Sequence, residues 1–224
     1  DLERIWRDGH ETTKEELEAK KAMKILSVKK TTDNRFLNMY DIEFEDRAGN
    51  RRMYYLASRA PEIKDLKMKT HQNHPDGVII YCVYGKDKDR LVLVRQYRVS
   101  IDDYIYEFPA GLVDEGETYA QAGARELKEE TGLDFQPLEV DEMYHKPFYT
   151  TIGMTDESCA TVYGYADGEV SRAGLEDSED LEIVLADRTE VARILREERV
   201  SMNCGYQMMH FLHHTDEDPF YFLK

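Results

Sequence analysis

Cysteine is scarce in this chain: Cys82, Cys159 and Cys204 are the three in 224 residues. Their odd number and wide spacing exclude a disulfide framework and a zinc-type ligand cluster. They point to a reducing, cytoplasmic setting. Cys82, inside GVIIYCVYG, reads as a core residue and not as a nucleophile. Long apolar runs are also missing, and none approaches the ~20 residues that span a bilayer. The opening DLERIWRDGH is charged, which does not suit a secretory signal. Positive charge is in deficit: 30 Lys and Arg stand against 46 Asp and Glu, a formal net charge of -16. Such a chain has no general attraction for nucleic acid or for an anionic membrane, so neither is expected as a partner. A phosphate-bearing substrate would need local arginines and metal cations to overcome that field.

What is present suits a folded globular protein, with 41% hydrophobic and 34% charged residues. The length allows one sizeable core, or a domain with a small appendage. Residues 13–24 have a helical pattern. KILSVKK, RFLNMYDIEFED and RRMYYLASR read as strands, and the turn DRAGNRR makes the last two a hairpin. Residues 1–65 are therefore expected to form an N-terminal helix and a small antiparallel sheet. Such a sheet is barely stable alone and should pack on the main body or on a second chain.

Residues 66–224 form the main domain. His71 and His74 lie in the polar loop KTHQNHPDG, and His210, His213 and His214 near the end; without a third ligand nearby, both groups read as solvated. Strands follow in GVIIYCVYG, RLVLVRQYR and YIYEFPAG, then in LEVDEMYHKPFYT, ESCATVYGYA and LEIVLADR. Two helices, RTEVARILREER and GYQMMHFLHH, close the chain. A strand-rich body with one central helix and late helices argues for an α+β fold.

The chemistry concentrates in GLVDEGETYAQAGARELKEETGL, residues 111–133. A helix is expected from Tyr119 to Thr131, stopped at Gly132. Glu126, Glu129 and Glu130 are three and four residues apart, so they share roughly one face. Arg125 and Lys128 offer partial neutralisation. The bland reading is a solvated, salt-bridged helix face. Against it stands the preceding strand and glycine-containing loop, EFPAGLVDEGE, which brings backbone oxygens to the acidic face. Oxygen ligands without Cys or His suit a hard cation such as Mg²⁺.

These residues match G-x5-E-x7-R-E-U-x-E-E-x-G-U, with U aliphatic, at every specified position. Gly111, Glu117, Arg125, Glu126, Leu127, Glu129, Glu130, Gly132 and Leu133 carry the match. The chain thereby resembles the Nudix hydrolases. The resemblance implies an α/β/α sandwich with a mixed sheet and hydrolysis of a nucleoside diphosphate linked to another group. It implies Glu126, Glu129, Glu130 and the Ala110 carbonyl as ligands of Mg²⁺, for which Mn²⁺ can substitute. It also implies that Glu129 and Glu130 serve catalysis, that Arg125 orients the glutamates and that Glu117 holds the loop–helix geometry.

The flanks resemble the ADP-ribose pyrophosphatase branch. VRQYR places Arg98 to contact a diphosphate or to orient an acid. EFPAG is similar to that branch's E-x-P-A-G lead-in. TIGMTDE, with Gly153 and Met154, resembles its S-P-G-x-S-D-E segment, although Ile152 stands where the branch has proline. The resemblance further implies a homodimer built on the N-terminal sheet. Phe36 either stacks on adenine or packs in the sheet, with Arg51 or Arg52 in the same sheet. A base, or another metal ligand, is expected from GLEDSEDLE, where Glu179 and Glu176 are preferred over a purely solvated loop. The implied substrate is ADP-ribose or a related ADP-sugar, giving AMP and a sugar phosphate. GDP-mannose and other nucleoside-diphosphate sugars are the rival substrates. A nucleotide-sensing module without turnover is the rival outside enzymes, against which the intact glutamate set argues.

Overall fold

The computed structural model describes residues 23–175, 179–213 and 218–223. The helical expectation for residues 13–22 lies outside the described residues, and Lys24 opens a strand instead. Two compact units are present. One comprises the described residues up to His71 together with Thr151–Asp156. The other comprises Gln72–Thr150 and the residues from Glu157 onward.

The first unit is a three-stranded antiparallel sheet in the order β1 (Lys24–Lys30), β2 (Asn38–Glu45), β3 (Arg51–Ser58). The β2–β3 turn forms because Asp46 accepts backbone hydrogen bonds from Ala48 and Asn50, both at 2.9 Å, while Gly49 takes φ +80°. Period-2 alternation divides the faces. Tyr40, Ile42 and Leu56 are buried with Leu66. Met39, Met53 and Tyr55 face outward and are exposed. A short 3-10 turn, Ile63–Asp65, leads into α1 (Lys67–Thr70). Thr151–Asp156 joins this unit along β3, where the Ala57 N–H donates to the Met154 carbonyl at 3.0 Å.

The second unit is built on a mixed sheet. Its strands are β4 (Gly77–Tyr84), β5 (Arg90–Arg98), β6 (Asp103–Glu107), β7 (Ala110–Leu112), β8 (Asp134–Pro137), β9 (Phe148–Tyr149), β10 (Ser158–Asp167) and β11 (Leu181–Ala186). The main path runs β11-β5-β4-β10-β8. β4 and β10 are parallel, and the other pairings are antiparallel. Its helices are α2 (Tyr119–Thr131), α3 (Glu142–His145), α4 (Arg188–Glu197) and α5 (Met202–His213).

Both sheet faces are covered, which explains why β4 and β5 are nearly continuous apolar runs. Ile80, Cys82 and Val92 pack with Leu127 and Leu133 at α2. Tyr81, Val83, Leu91 and Leu93 pack on the opposite side with Val191 and Ile194 of α4 and Met208 and Phe211 of α5. The class is α+β, as the pattern of elements implied, with the helix–sheet–helix sandwich that the resemblance implied. Burial also pushes the Cys82 and Cys204 thiols up, which fits core residues. The described histidines are mostly occupied locally: His74 bonds Gln72, His213 bonds the Met209 carbonyl, and His210 stacks on Phe222. Among the described residues no helix is long and apolar enough to cross a membrane.

Three sequence expectations change. YIYEFPAG is two strands, because Pro109 has no N–H to continue the ladder. β6 pairs with β5, and β7 shifts across to β4, with the Pro109 carbonyl accepting from Ile80 at 2.9 Å. Residues 138–150 are not a long strand. Asp141 caps α3 by accepting from the Met143 N–H at 2.9 Å, leaving two residues for β9. β8 was unforeseen in the short, polar DFQP; it docks on β10 beside Gly164, where a Cβ would lie 2.3 Å from the Gln136 carbonyl oxygen.

Leu127 is fully buried between α2 and the sheet. Leu127→Ala is expected to lower unfolding stability by about 2–5 kcal/mol. Urea denaturation of the purified variant checks this, and a loss below about 1 kcal/mol would contradict the packing of α2 described here.

Candidate active site

The site is assembled on α2. Thr118 starts the helix with a reciprocal cap: its hydroxyl accepts from the Gln121 N–H, and the Gln121 side chain accepts from the Thr118 N–H. Gly132 ends it at φ +76°. The helix then presents Arg125, Glu126, Glu129 and Glu130 toward the loop that leaves β7.

Arg125 ties loop to helix. Its Nε and Nη2 donate to the two oxygens of Glu117, at 3.0 and 2.9 Å. Nη2 also donates to the Leu112 carbonyl at 3.0 Å. Nη1 donates to Glu126 at 2.8 Å and to Glu129 at 3.2 Å. The bidentate fork suits arginine and not lysine. It holds the Glu117 carboxyl below its ordinary value, assisted by the Asp114 N–H. The carboxylates in turn hold the guanidinium charge more firmly, Glu117 first. Lys128, expected to share this neutralisation, does not. Its Nζ donates to the Gly132 carbonyl and to Asp134, both at 2.8 Å, at the far end of the helix.

The glutamates differ in setting. Glu129 is half exposed. The Glu126 side chain is 14% exposed and lies against Gly111, where a Cβ would stand 1.9 Å from its carboxyl carbon. Burial raises the Glu126 carboxyl above its ordinary value, with Arg125 opposing. Glu130 is buried at 5% exposure and accepts from the Ala110 N–H at 3.2 Å. Its carboxyl is pushed up to about 8, first by burial and then by the Glu126 charge. Glu179 raises it further, while Arg98 draws it down.

With so little positive charge nearby the fold favours a protonated Glu130, and ionising it beside Glu126 is costly unless a cation joins the two. The donors are all oxygens, which fits a hard divalent ion. Among the described residues no three acidic, histidine or cysteine side chains are preformed as a metal cluster. Arg125 Nη1 holds Glu126 and Glu129, so seating an ion asks the half-exposed Glu129 to turn toward Glu130. Ala110 opens β7 beside Glu130, so its backbone lies within the site's wall.

Other expected residues divide between the units. Arg98, Ala110, Arg125, Glu126, Glu129, Glu130 and Glu179 belong to the second unit; Phe36, Arg51, Arg52, Gly153 and Met154 belong to the first. Glu176 lies outside the described residues. Phe36 is not a packed sheet residue: it precedes β2, is 63% exposed, and has the Arg35 guanidinium 4.7 Å from its ring centre. Gly153 and Met154 sit in an exposed turn beside Ala57. Arg51 and Arg52 pair with Glu43 and Asp46 at the hairpin end. β2 and β3 register Asn38 with Ser58 and Glu45 with Arg51, so Phe36 and the arginines are at opposite ends, about 20 Å apart. One chain does not bring them together.

Of the two roles expected of Arg98, the structure shows the orienting one: it donates to Glu107 at 2.6 Å, an acid three residues before Ala110 that the sequence reading did not name. The position of Glu107 in the E-x-P-A-G lead-in was the available signal. Gly174 lies so close to α2 that a Cβ would be 2.6 Å from the Glu129 carbonyl oxygen. No local motif announces that contact.

Glu130 supplies a pH test. Its folded-state value lies above the ordinary 4.5, so the fold favours the protonated form. That stability is complete below pH 4.5 and is lost as pH rises toward about 8. In EDTA, wild-type melting temperature should fall relative to Glu130→Gln across this window. Parallel melting curves for the two proteins would overturn the buried-carboxylate account.

Comparison with known proteins agrees with this geometry. A family profile described as NUDIX domain matches residues 73–201, more than half of the chain. "Putative nudix hydrolase 2" of Caenorhabditis elegans is 37% identical over 120 residues, 51% of this chain and 52% of that protein. The chain therefore spans about half the length of that relative. An "ADP-ribose pyrophosphatase" of Saccharomyces cerevisiae is 27% identical over 175 residues, covering 76% of this chain and 72% of that one. The crystal structure of an ADP compounds hydrolase superposes with a TM-score of 0.52 at 24% identity, covering 78% of this chain and 83% of that one, a likeness of fold. Fold, helix and family match together place the chain in the Nudix family.

Proposed function

We propose that the protein is a Mg²⁺-dependent pyrophosphohydrolase, with Mn²⁺ able to substitute, that cleaves ADP-ribose or a related ADP-sugar into AMP and a sugar phosphate. The observation that carries this is the buried Glu130 carboxyl beside Glu126, two oxygen donors that ionise together at low cost only around a cation. The names of several relatives support the substrate class, including an ADP-ribose pyrophosphatase of Bacillus subtilis and an ADP-sugar pyrophosphatase of Mus musculus.

In this reading Glu126, Glu129, Glu130 and the Ala110 carbonyl hold the cation. When bound, the cation neutralises the pyrophosphate and lowers the pKa of the attacking water. Arg125 and Glu117 keep the carboxylates aimed. Glu179 takes the proton from the water; Glu176 is the other acid considered for that role. Arg98 steadies Glu107 and places positive charge near Glu130. Phe36 stacks on the base, with Gly153 and Met154 as neighbouring contacts. Arg51 and Arg52 are the other substrate contacts considered, although within one chain the register keeps them away from Phe36. The exposed Met39, Met53 and Tyr55 support a homodimer through the first unit's outer face. Free, buried Cys82 and Cys204 support a cytoplasmic setting.

A panel of nucleoside diphosphate derivatives, assayed with Mg²⁺ for nucleoside monophosphate release, tests the function. AMP from ADP-ribose should lead. GMP from GDP-mannose in excess would favour the rival substrate, and no release from any compound would favour a sensing module. Glu129→Gln should lower kcat by at least about 100-fold without unfolding the protein. Gly111→Ala probes the cradle: the added Cβ meets only the movable end of Glu126. It should leave the circular dichroism spectrum intact while weakening Mn²⁺ binding by about 10–100-fold in calorimetry. Unchanged Mn²⁺ affinity would remove Glu126 from the ligand set.

A further inference from the structure

The described residues of the β10–β11 connection are fastened at two places. At the first, the Ser171 N–H donates to the Thr131 carbonyl at 2.8 Å, and Gly174 lies against the Glu129 backbone. At the second, the Asp180 carbonyl accepts from the Tyr97 N–H at 2.9 Å. The Asp180 carboxylate accepts from the Tyr104 hydroxyl at 2.5 Å. Leu181 then enters β11, paired with Gln96.

The Tyr104 ring is itself held. The Arg95 guanidinium lies 4.2 Å from its centre, a cation–π distance. The Tyr97 ring meets it edge-on, with centres 5.5 Å apart. Arg95 also pairs with Glu182 on β11 at 3.5 Å. The hydroxyl is therefore presented to Asp180 from a braced ring, which makes it an anchor and not a wandering surface contact. A tyrosine–carboxylate bond is charge-assisted and short, and fixes direction as well as distance.

We propose that Tyr104 and Asp180 are positioning residues: together they fix the entry to β11 so that the adjoining Glu179 faces Glu126 and Glu130. Glu179 directly precedes Asp180 in the chain, so the two bonds that hold Asp180 also fix where the Glu179 backbone stands. The charge of Glu179 already reaches both carboxyls. Neither Tyr104 nor Asp180 touches the reacting groups in this account; they act through Glu179. The proposal rests on the reading of Glu179 given above.

The test uses the full chain and the nucleoside diphosphate derivative that it hydrolyses best. Tyr104→Phe keeps the ring and removes only the hydroxyl. It should lower kcat at least about tenfold while KM moves less than about twofold. Glu179→Gln should cost at least as much, and the double variant should be no worse than Glu179→Gln alone, because the two act as one unit. Independently of turnover, the Tyr97 amide should exchange faster in Tyr104→Phe, by hydrogen–deuterium exchange. Asp102→Asn is the control: it weakens the neighbouring Tyr97–Asp102 bond at a left-handed position that asparagine tolerates. It should change neither readout.

Wild-type kcat and Tyr97 exchange in Tyr104→Phe, with Glu179→Gln impaired, would overturn the anchor and spare the reading of Glu179. Multiplying losses in the double variant would also overturn it, showing that Tyr104 acts elsewhere. Wild-type kcat in Glu179→Gln would instead sink the reading on which the anchor rests.

Discussion

The fork between Arg125 and Glu117 is the contact on which the site depends. It joins a loop to a helix through two parallel hydrogen bonds, and the same guanidinium reaches Glu126, Glu129 and the Leu112 carbonyl. Without it, three glutamates on one helical face would repel one another and the loop would have no reason to close over them. The fork is only part of the balance, because Glu130 receives none of its charge directly. That carboxyl is buried beside the backbone of Ala110 and remains the unresolved electrostatic demand of the site. One arginine thus shapes the cradle, and the remaining negative charge gives a cation its reason to bind.

The sheet supplies the other half of the geometry. Pro109 breaks the strand pairing between β6 and β7, so the chain steps from the β5 edge to the β4 edge just before Ala110 and Gly111. That step lays Gly111 against the Glu126 carboxylate, which an added Cβ would have to displace. Gly174 likewise comes close to the backbone of Glu129, where a Cβ would lie 2.6 Å from its carbonyl oxygen. Both glycines are demanded by contact and not by φ, since neither has a positive φ. The close-packed core beneath, Leu127 and Leu133 on Ile80 and Cys82, keeps these approaches fixed.

The legible parts of this protein were those encoded locally. The bounds of α2, its stop at Gly132 and the shared face of Glu126, Glu129 and Glu130 follow from spacing alone. β4, β5 and β10 are strongly apolar and were readable for the same reason. Residues 138–150 were misread because apolar residues alternated there while Asp141 supplied a helix cap, and capping won over a weak pattern. Lys128 was credited with a role by proximity in sequence, yet its side chain follows the helix toward Gly132. The Arg98–Glu107 and Tyr104–Asp180 bonds join different strands, and Gly174 meets α2 across a long connection. VRQYR and the E-x-P-A-G lead-in hinted at the first of these, and nothing local in the sequence encodes the other two.

The position that departs from the related segment can now be weighed physically. The Met154 N–H donates to the Thr151 carbonyl at 2.9 Å, so residues 151–154 form a hydrogen-bonded turn with Ile152 at its second position. Proline is favoured there because its fixed φ matches the turn. Ile152 reaches the same turn with its side chain 61% exposed, while its carbonyl accepts from the Tyr54 hydroxyl at 3.3 Å. The turn's bonds therefore come from Thr151, Met154, Ala57 and Tyr54, and none uses the Ile152 side chain. Replacing proline by isoleucine at such a site costs about 0.4–1 kcal/mol of unfolded-chain entropy and leaves the hydrogen bonds in place. The departure changes the stiffness of the segment more than its path, so Gly153 and Met154 keep the placement that the turn gives them.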